Sequence, residues 1–216
     1  MIVEKIMNQD IITLTPADTI QSAVVIIKEK RIRHIPIVDD GFQLVGLVSD
    51  RDIRDAAPSI FNTEEFKNDF QKPLSSIMKT DIITGHPLDF VEEIGAVFCE
   101  NDISCLPIVK EGKLVGIITG SDLLQSFVEL TGVNQPGSQI EIRIPDKAGT
   151  LHDIAHIFKR RNSNILSTLV YPEKDETDYK ILVIRVQTMN PFMVVDDLKQ
   201  EGYTVLWPSL PGTSHE

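Results

Sequence analysis

The chain repeats itself, and that repeat restricts the fold more than any other feature. A shift of 71 positions carries the IM of residues 6–7 onto 77–78 and the DIIT of 10–13 onto the DIIT of 81–84. The same shift takes Pro16 to Pro87, Asp18 to Asp89, Ile32 to Ile103, and the PIV of 36–38 to that of 107–109. One residue is then lost in a turn, so LVG at 44–46 matches 114–116, and Asp52 matches Asp122, at a shift of 70. Identities this dense and this evenly spaced mark a duplicated structural unit.

Each copy reads as strand, helix, strand, strand, helix. In the first, residues 11–14 form a short β-rich run closed by Thr15 and Pro16, a helix-entry signal. Residues 19–29 place Ile20, Ala23, Val24 and Ile27 on one helical face. Residues 34–38 and 44–48 are apolar, β-branched strands around the turn residues Asp39, Asp40 and Gly41, and a second helix begins near Ser49. Neither copy is large enough to stand alone, so the two are expected to share a core.

These residues carry a resemblance. The patterns IM…DIIT…IPIVDD…LVGLVSDRD and IM…DIIT…LPIVKEG…LVGIITGSD resemble a tandem pair of cystathionine-β-synthase-type (CBS) repeats. The resemblance implies one pseudo-twofold module with two clefts, and an adenosine-containing ligand such as AMP or ATP. The expected boundaries are 1–57 for the first repeat and 74–130 for the second, with an insertion at 58–73. The insertion carries Phe61, Phe66 and Phe70 and a helix-start signature at 62–65. It reads as a short packed helix, with a lid over a cleft as the alternative.

A turn-rich stretch, TGVNQPG at 131–137, marks a linker. Beyond it the pattern changes to βαββαβ. A strand over 138–144 leads through a tight turn to Thr150 as helix cap, and Leu151, Ile154, Ala155 and Phe158 form the buried face of that helix. Strands over 165–171 and 179–186 follow. Asn190 and Pro191 then open a second helix that ends by Gly202, and a last strand runs over 203–207. This order is that of a ferredoxin-like unit. With IRIPDKAGTLHDIA and NSNILS, residues 138–210 resemble an ACT domain, with a tail at 211–216 expected to be disordered. The fold class is therefore mixed α/β (α+β). The ACT resemblance implies an amino acid or small metabolite near Asp146, Gly149, Thr150 and Asn164.

The candidate ligand site rests on GLVSDRD at 46–52 and GIITGSD at 116–122. Each sets Ser49 or Thr119 at a strand-to-helix junction with Asp52 or Asp122 three residues on. A capping box alone would account for that spacing. The same geometry also presents helix N–H groups to a phosphate, and the family resemblance implies that the aspartate accepts from ribose hydroxyls. By resemblance too, His34 and Ile35 before Pro36, and Cys105 and Leu106 before Pro107, border the base with Thr13 and Thr84. The copies differ in charge: Arg31, Arg33, Arg51 and Arg54 stand where the second copy has Asp102, Ser104, Ser121 and Leu124. The tighter anion site is expected where Arg51 and its neighbours point, unless these arginines are solvated surface charges.

Enzyme chemistry finds no foothold. A phosphate-loop lysine, a dinucleotide glycine fingerprint, a nucleophile elbow and a carboxylate pair are all missing from the sequence. The HDIAH of 152–156 approaches a zinc signature, but it offers Asp153 where a glutamate base is needed and no third ligand. The expectation is neither catalytic residues nor a metal nor a required cofactor. The net charge of −11, of which −9 falls in residues 1–130, opposes nucleic acid and anionic lipid as partners. An N-terminus with early acids, and no unbroken run near the ~18 apolar residues of a membrane helix, predict neither a signal peptide nor a span. Cys99 and Cys105, read as buried packing residues, fit a reducing cytoplasm.

The order of two CBS repeats and an ACT domain resembles acetoin-utilisation proteins. It implies a homodimeric regulator of acetoin and butanediol catabolism acting on an unknown protein target. The alternative is an interaction scaffold whose clefts stay empty.

Overall fold

The computed structural model describes residues 1–56, 67–174 and 176–208, without the side chains of Lys67 and Asn68. The insertion residues Phe61 and Phe66, the helix-start signature at 62–65 and the tail at 211–216 lie outside the described residues. The chain divides into two compact units, 1–124 and 125–216.

The first unit holds both repeats. The first repeat contributes α1 (Ile20–Lys30), β1 (His34–Val38), β2 (Leu44–Ser49) and α2 (Asp50–Ala56), followed by a short helix, α3 (Lys67–Phe70). The second contributes α4 (Val91–Asn101), β3 (Cys105–Lys110), β4 (Lys113–Thr119) and the start of α5 (Gly120–Thr131). β1 pairs antiparallel with β2, and β3 with β4, each pair broken by an irregularity at the same point, Ile37/Val38 and Ile108/Val109. The turn between β1 and β2 is held by Asp39 Oδ1, which accepts from the Gly41 and Gln43 N–H groups at 2.9 and 2.8 Å. The second copy turns in one residue fewer, with Glu111 and Gly112 both at positive φ, and this is where the repeat shift drops from 71 to 70.

The expected first strand of each copy shrinks to one parallel bridge, Leu14 to Ile37 and Gly85 to Ile108. Leu14 donates to Pro36 O and accepts from Val38 N, and Gly85 repeats the pattern with Pro107 and Val109. The next parallel bonds would need N–H donors from Pro36 and Pro16, or from Pro107 and Pro87, and proline has none. Two prolines bracket each bridge and stop the ladder.

The expected common core is two clusters instead, and each is completed by the other copy. A 3-10 turn over Val3–Lys5 puts Val3, Ile6 and Met7 against the second-copy residues Ile94, Phe98, Leu106 and Ile118. Its counterpart over Leu74–Ser76 puts Leu74, Ile77 and Met78 against Ile20, Ile35, Ile37 and Val48 of the first. The backbone bonds are reciprocal as well: Asn8 exchanges two with Ile117, and Lys79 two with Leu47. Gly46 and Gly116 permit this approach, because a Cβ on either would lie 2.5 Å from Met78 Sδ or Met7 Sδ. Phe70, from the expected insertion, packs on the cluster of the first copy, the one that holds Ile20 and Leu74.

The second unit contains β5 (Ser138–Pro145), α6 (Thr150–Arg160), β6 (Ile165–Pro172), β7 (Tyr179–Val186), α7 (Phe192–Gln200) and β8 (Thr204–Trp207). Its strands run in the order β6-β7-β5-β8, all antiparallel, as a ferredoxin-like sheet requires. Alternate residues of β5 (Ile140, Ile142, Ile144) and β7 (Leu182, Ile184, Val186) meet Ile154, Ile157 and Phe158 of α6 and Val194, Val195 and Leu198 of α7. Two expectations on α6 are corrected. Gly149, at φ 92, is its N-cap, and Thr150 lies inside the helix with its hydroxyl donating to Lys147 O at 2.9 Å. Its buried face is Thr150, Ile154, Ile157 and Phe158, while Leu151 and Ala155 are exposed. At α7 the N-cap is Pro191, one residue past the expected Asn190, whose Oδ1 accepts from the Phe192 N–H at 3.2 Å.

Candidate functional site

The two copies meet around two clefts, and each cleft takes residues from both. The first, about 410 Å³, is walled by the first copy's Asp10, Lys30, Arg31, Arg33, His34 and Pro36 and by Thr119, Ser121 and Asp122 of the second. The second, about 480 Å³, is walled by the second copy's Lys79, Asp81, Asp102, Ser104 and Cys105 and by Ser49, Arg51, Asp52 and Asp55 of the first, with His34 at its edge. Both volumes suit a small organic ligand. The reciprocal strand contacts build these walls, since Asn8 and Lys79, the residues that cross over, each line a cleft.

The hydroxyl-and-carboxylate boxes form as the sequence predicts. Asp52 Oδ2 accepts from the Ser49 N–H at 2.8 Å and from its hydroxyl at 2.5 Å, and the Asp52 N–H donates back to Ser49 Oγ at 3.3 Å. Asp122 Oδ2 accepts from the Thr119 N–H and hydroxyl at 2.7 and 2.6 Å. Capping thus occupies one carboxylate oxygen in each box. The other oxygen of Asp52 faces Lys79 Nζ at 3.5 Å. Burial alone would raise the Asp52 carboxyl, but the Ser49 hydrogen bonds and the Lys79 charge outweigh it and hold the group below the usual carboxylate range.

Of the expected site residues, Arg33, His34, Pro36, Thr119 and Asp122 come together in the first cleft, and Ser49, Arg51, Asp52 and Cys105 in the second. Thr13, Ile35, Thr84, Leu106 and Pro107 line neither; Ile35 and Leu106 are fully buried in strands. The arginines do not converge on Arg51. Arg31 and Arg33 line the first cleft, Arg51 the second, and Arg54 is tied to Asp50 at 3.0 Å. Sequence reasoning missed Asp10, Lys30, Lys79 and Asp81, although the duplicated DIIT segments hold two of them.

His34 borders both clefts. Burial, then the Arg33 charge, pushes its imidazole below the ordinary value of 6.5; Arg51 acts the same way, while Asp50 and Asp52 oppose. The neutral ring is the form the fold favours, so its contribution is full above about pH 6.5 and is lost as the pH falls toward the lowered folded value. Acidifying from about pH 7.5 to 5.5 should therefore destabilise the first unit, and His34→Gln should flatten that slope. Urea melts by circular dichroism across that range check this; an unchanged slope in the variant would reject the role. Burial, with Asp122 adding, pushes the Cys105 thiol up to about 12, so it stays protonated and unreactive. Cys99, expected to be buried, is exposed on α4.

In the second unit Asp146, Gly149 and Thr150 stay together at the turn into α6, and Asn164 stands apart from them. Asp146 pairs with Lys180 at 2.7 Å, and Asn164 donates to Gln187 at 3.1 Å. Thr150 opens α6, whose eleven residues span about 16 Å, and Asn164 lies four residues past its last one. His152 and His156 share a groove with Asp153, Glu201 and Tyr203, but no group of three His, Cys, Asp or Glu side chains is placed to hold a metal among the described residues. Nor, among those residues, is any helix long and apolar enough to cross a membrane.

The chain is thus a duplicated unit with paired clefts between its copies, followed by a ferredoxin-like domain. The CBS domain model matches residues 3–59 and 74–129, more than half of the chain, and the ACT domain model matches 138–202. The chain belongs to the CBS-domain family and carries a C-terminal ACT domain. It is 33% identical over 121 residues to the CBS domain-containing protein YhcV of Bacillus subtilis, covering 56% of this chain and 81% of that one. A crystal structure described as a candidate acetoin utilization protein (AcuB) from Vibrio cholerae is 32% identical with a TM-score of 0.56, covering 62% of this chain and 96% of that one. The CBS domain pair of protein MJ0100, solved with 5′-methylthioadenosine and S-adenosyl-L-methionine, is 29% identical with a TM-score of 0.52, covering 59% and 95%.

Proposed function

We propose that this protein is a non-catalytic cytoplasmic sensor that binds an adenosine-containing ligand in its CBS clefts and relays occupancy to the ACT domain. The observation that carries this reading is the pair of open clefts, each joining a hydroxyl–carboxylate box from one copy to the 30s or 100s loop of the other. In each box one carboxylate oxygen is committed to the cap, and the second can accept from ribose hydroxyls. The adenosine ligands of the MJ0100 pair support the ligand class, and the candidate AcuB structure supports a link to acetoin utilization; the regulation of acetoin and butanediol catabolism is the role we assign to the sensor. A CBS ligand and an ACT metabolite or protein target that favour the same arrangement of the chain each raise the other's affinity by one shared coupling free energy. A homodimer is the working assembly.

The test is retention and stabilisation. Mass spectrometry of what leaves the purified protein on denaturation should find an adenosine compound. Adding that compound at 100 times its dissociation constant should stabilise the protein by about 2.7 kcal/mol. An interaction scaffold with empty clefts would release nothing and gain no stability from any adenosine derivative.

A further inference from the structure

We propose that the two clefts are sorted by charge, the first taking a phosphorylated adenosine and the second an adenosine derivative whose 5′ substituent is uncharged or cationic. This inference rests on the adenosine-sensor reading. The clefts are pseudo-equivalent in backbone and opposite in charge. In the first, Lys30, Arg31 and Arg33 face Asp10 and Asp122; no ion pair ties these three cations to a carboxylate among the described residues. In the second, Arg51 and Lys79 face Asp52, Asp55, Asp81 and Asp102, and Lys79 lies against Asp52. Three cations to two carboxylates on one side become two to four on the other.

One pair of positions isolates the difference. Arg31 and Asp102 are the C-caps of α1 and α4, at φ 54 and φ 50, and each lines its own cleft. Both hold the left-handed conformation that glycine adopts at least cost. Each therefore presents a charged side chain from the same strained backbone, positive in one cleft and negative in the other. A 5′-phosphate beside Arg31 and Arg33 is attracted, whereas one beside Asp81 and Asp102 is repelled at short range where salt screens poorly. A sulfonium or thioether in that position meets no such repulsion.

Calorimetric titration of the full chain with AMP and with S-adenosyl-L-methionine tests this in Asp122→Asn and Asp52→Asn variants, which keep a capping acceptor. AMP affinity should fall at least tenfold in Asp122→Asn and less than twofold in Asp52→Asn, and S-adenosyl-L-methionine should show the reverse. The exchange variant Arg31→Asp with Asp102→Arg, which leaves both boxes intact, should weaken AMP binding at the first cleft by at least tenfold. Equal sensitivity of AMP to both box variants, or greater sensitivity to Asp52→Asn, overturns the sorting and leaves the sensor reading standing. Failure of the wild-type chain to bind either compound overturns both.

Discussion

Phe158→Ala should cost the second unit about 3–5 kcal/mol, whereas Leu151→Ala, two turns earlier on the same helix, should cost under about 0.5 kcal/mol. Phe158 is 1% exposed and is the largest fully buried side chain among the described residues, in one cluster with residues of β5, β7 and α7. Truncating it removes apolar surface and leaves a void that the flanking Ile142, Ile154 and Leu198 can only partly close. Leu151 is 50% exposed on the same helix. The chain carries its own reporter: its single tryptophan, Trp207, and all three tyrosines, Tyr171, Tyr179 and Tyr203, lie in the second unit. The urea midpoint followed by tryptophan fluorescence should drop sharply in the first variant and hardly move in the second. Comparable losses in both would mean that α6 is rotated from the face described.

That contrast shows where sequence reading holds and where it slips. The duplication, the βαββαβ order and the two boxes were legible because identities at a fixed shift and turn residues at fixed offsets depend on local geometry. The α6 face was misjudged because Leu151 and Ala155 stand seven and three residues before Phe158, just as Thr150 and Ile154 stand before Ile157, and apolar spacing alone does not choose between two overlapping stripes. The short bridges at Leu14 and Gly85 read as strands because β propensity is local, whereas the donors missing at Pro16 and Pro36, or Pro87 and Pro107, matter only once the segments pair. The division of the arginines was hidden for a deeper reason. A repeat shift is identical whether a segment packs on its own copy or on the other, so the pattern could not assign Arg31 and Arg51 to different clefts.

The exchange between copies yields the second large effect. Leu74→Ala should cost about 2–5 kcal/mol, and the loss should appear in the first copy although Leu74 precedes the second copy's own helix and strands. Leu74 is fully buried among Ile20, Ile35, Ile37 and Val48, and its N–H donates to Asp18 O at 2.7 Å. Amide hydrogen exchange should therefore quicken most in β1 and β2. Val3→Ala is the mirror experiment. Val3 sits in the second-copy cluster with its N–H on Asp89 O at 2.9 Å, so β3 and β4 should lose protection. Crossed losses of this kind mean that neither copy can tighten or loosen without its partner's entry segment, which also carries Asp10 or Asp81 into a cleft. A ligand that orders one cleft would then act on both copies through packing alone. If Leu74→Ala instead loosened β3 and β4, or all four strands equally, the reciprocal packing would not be what holds the clefts in shape.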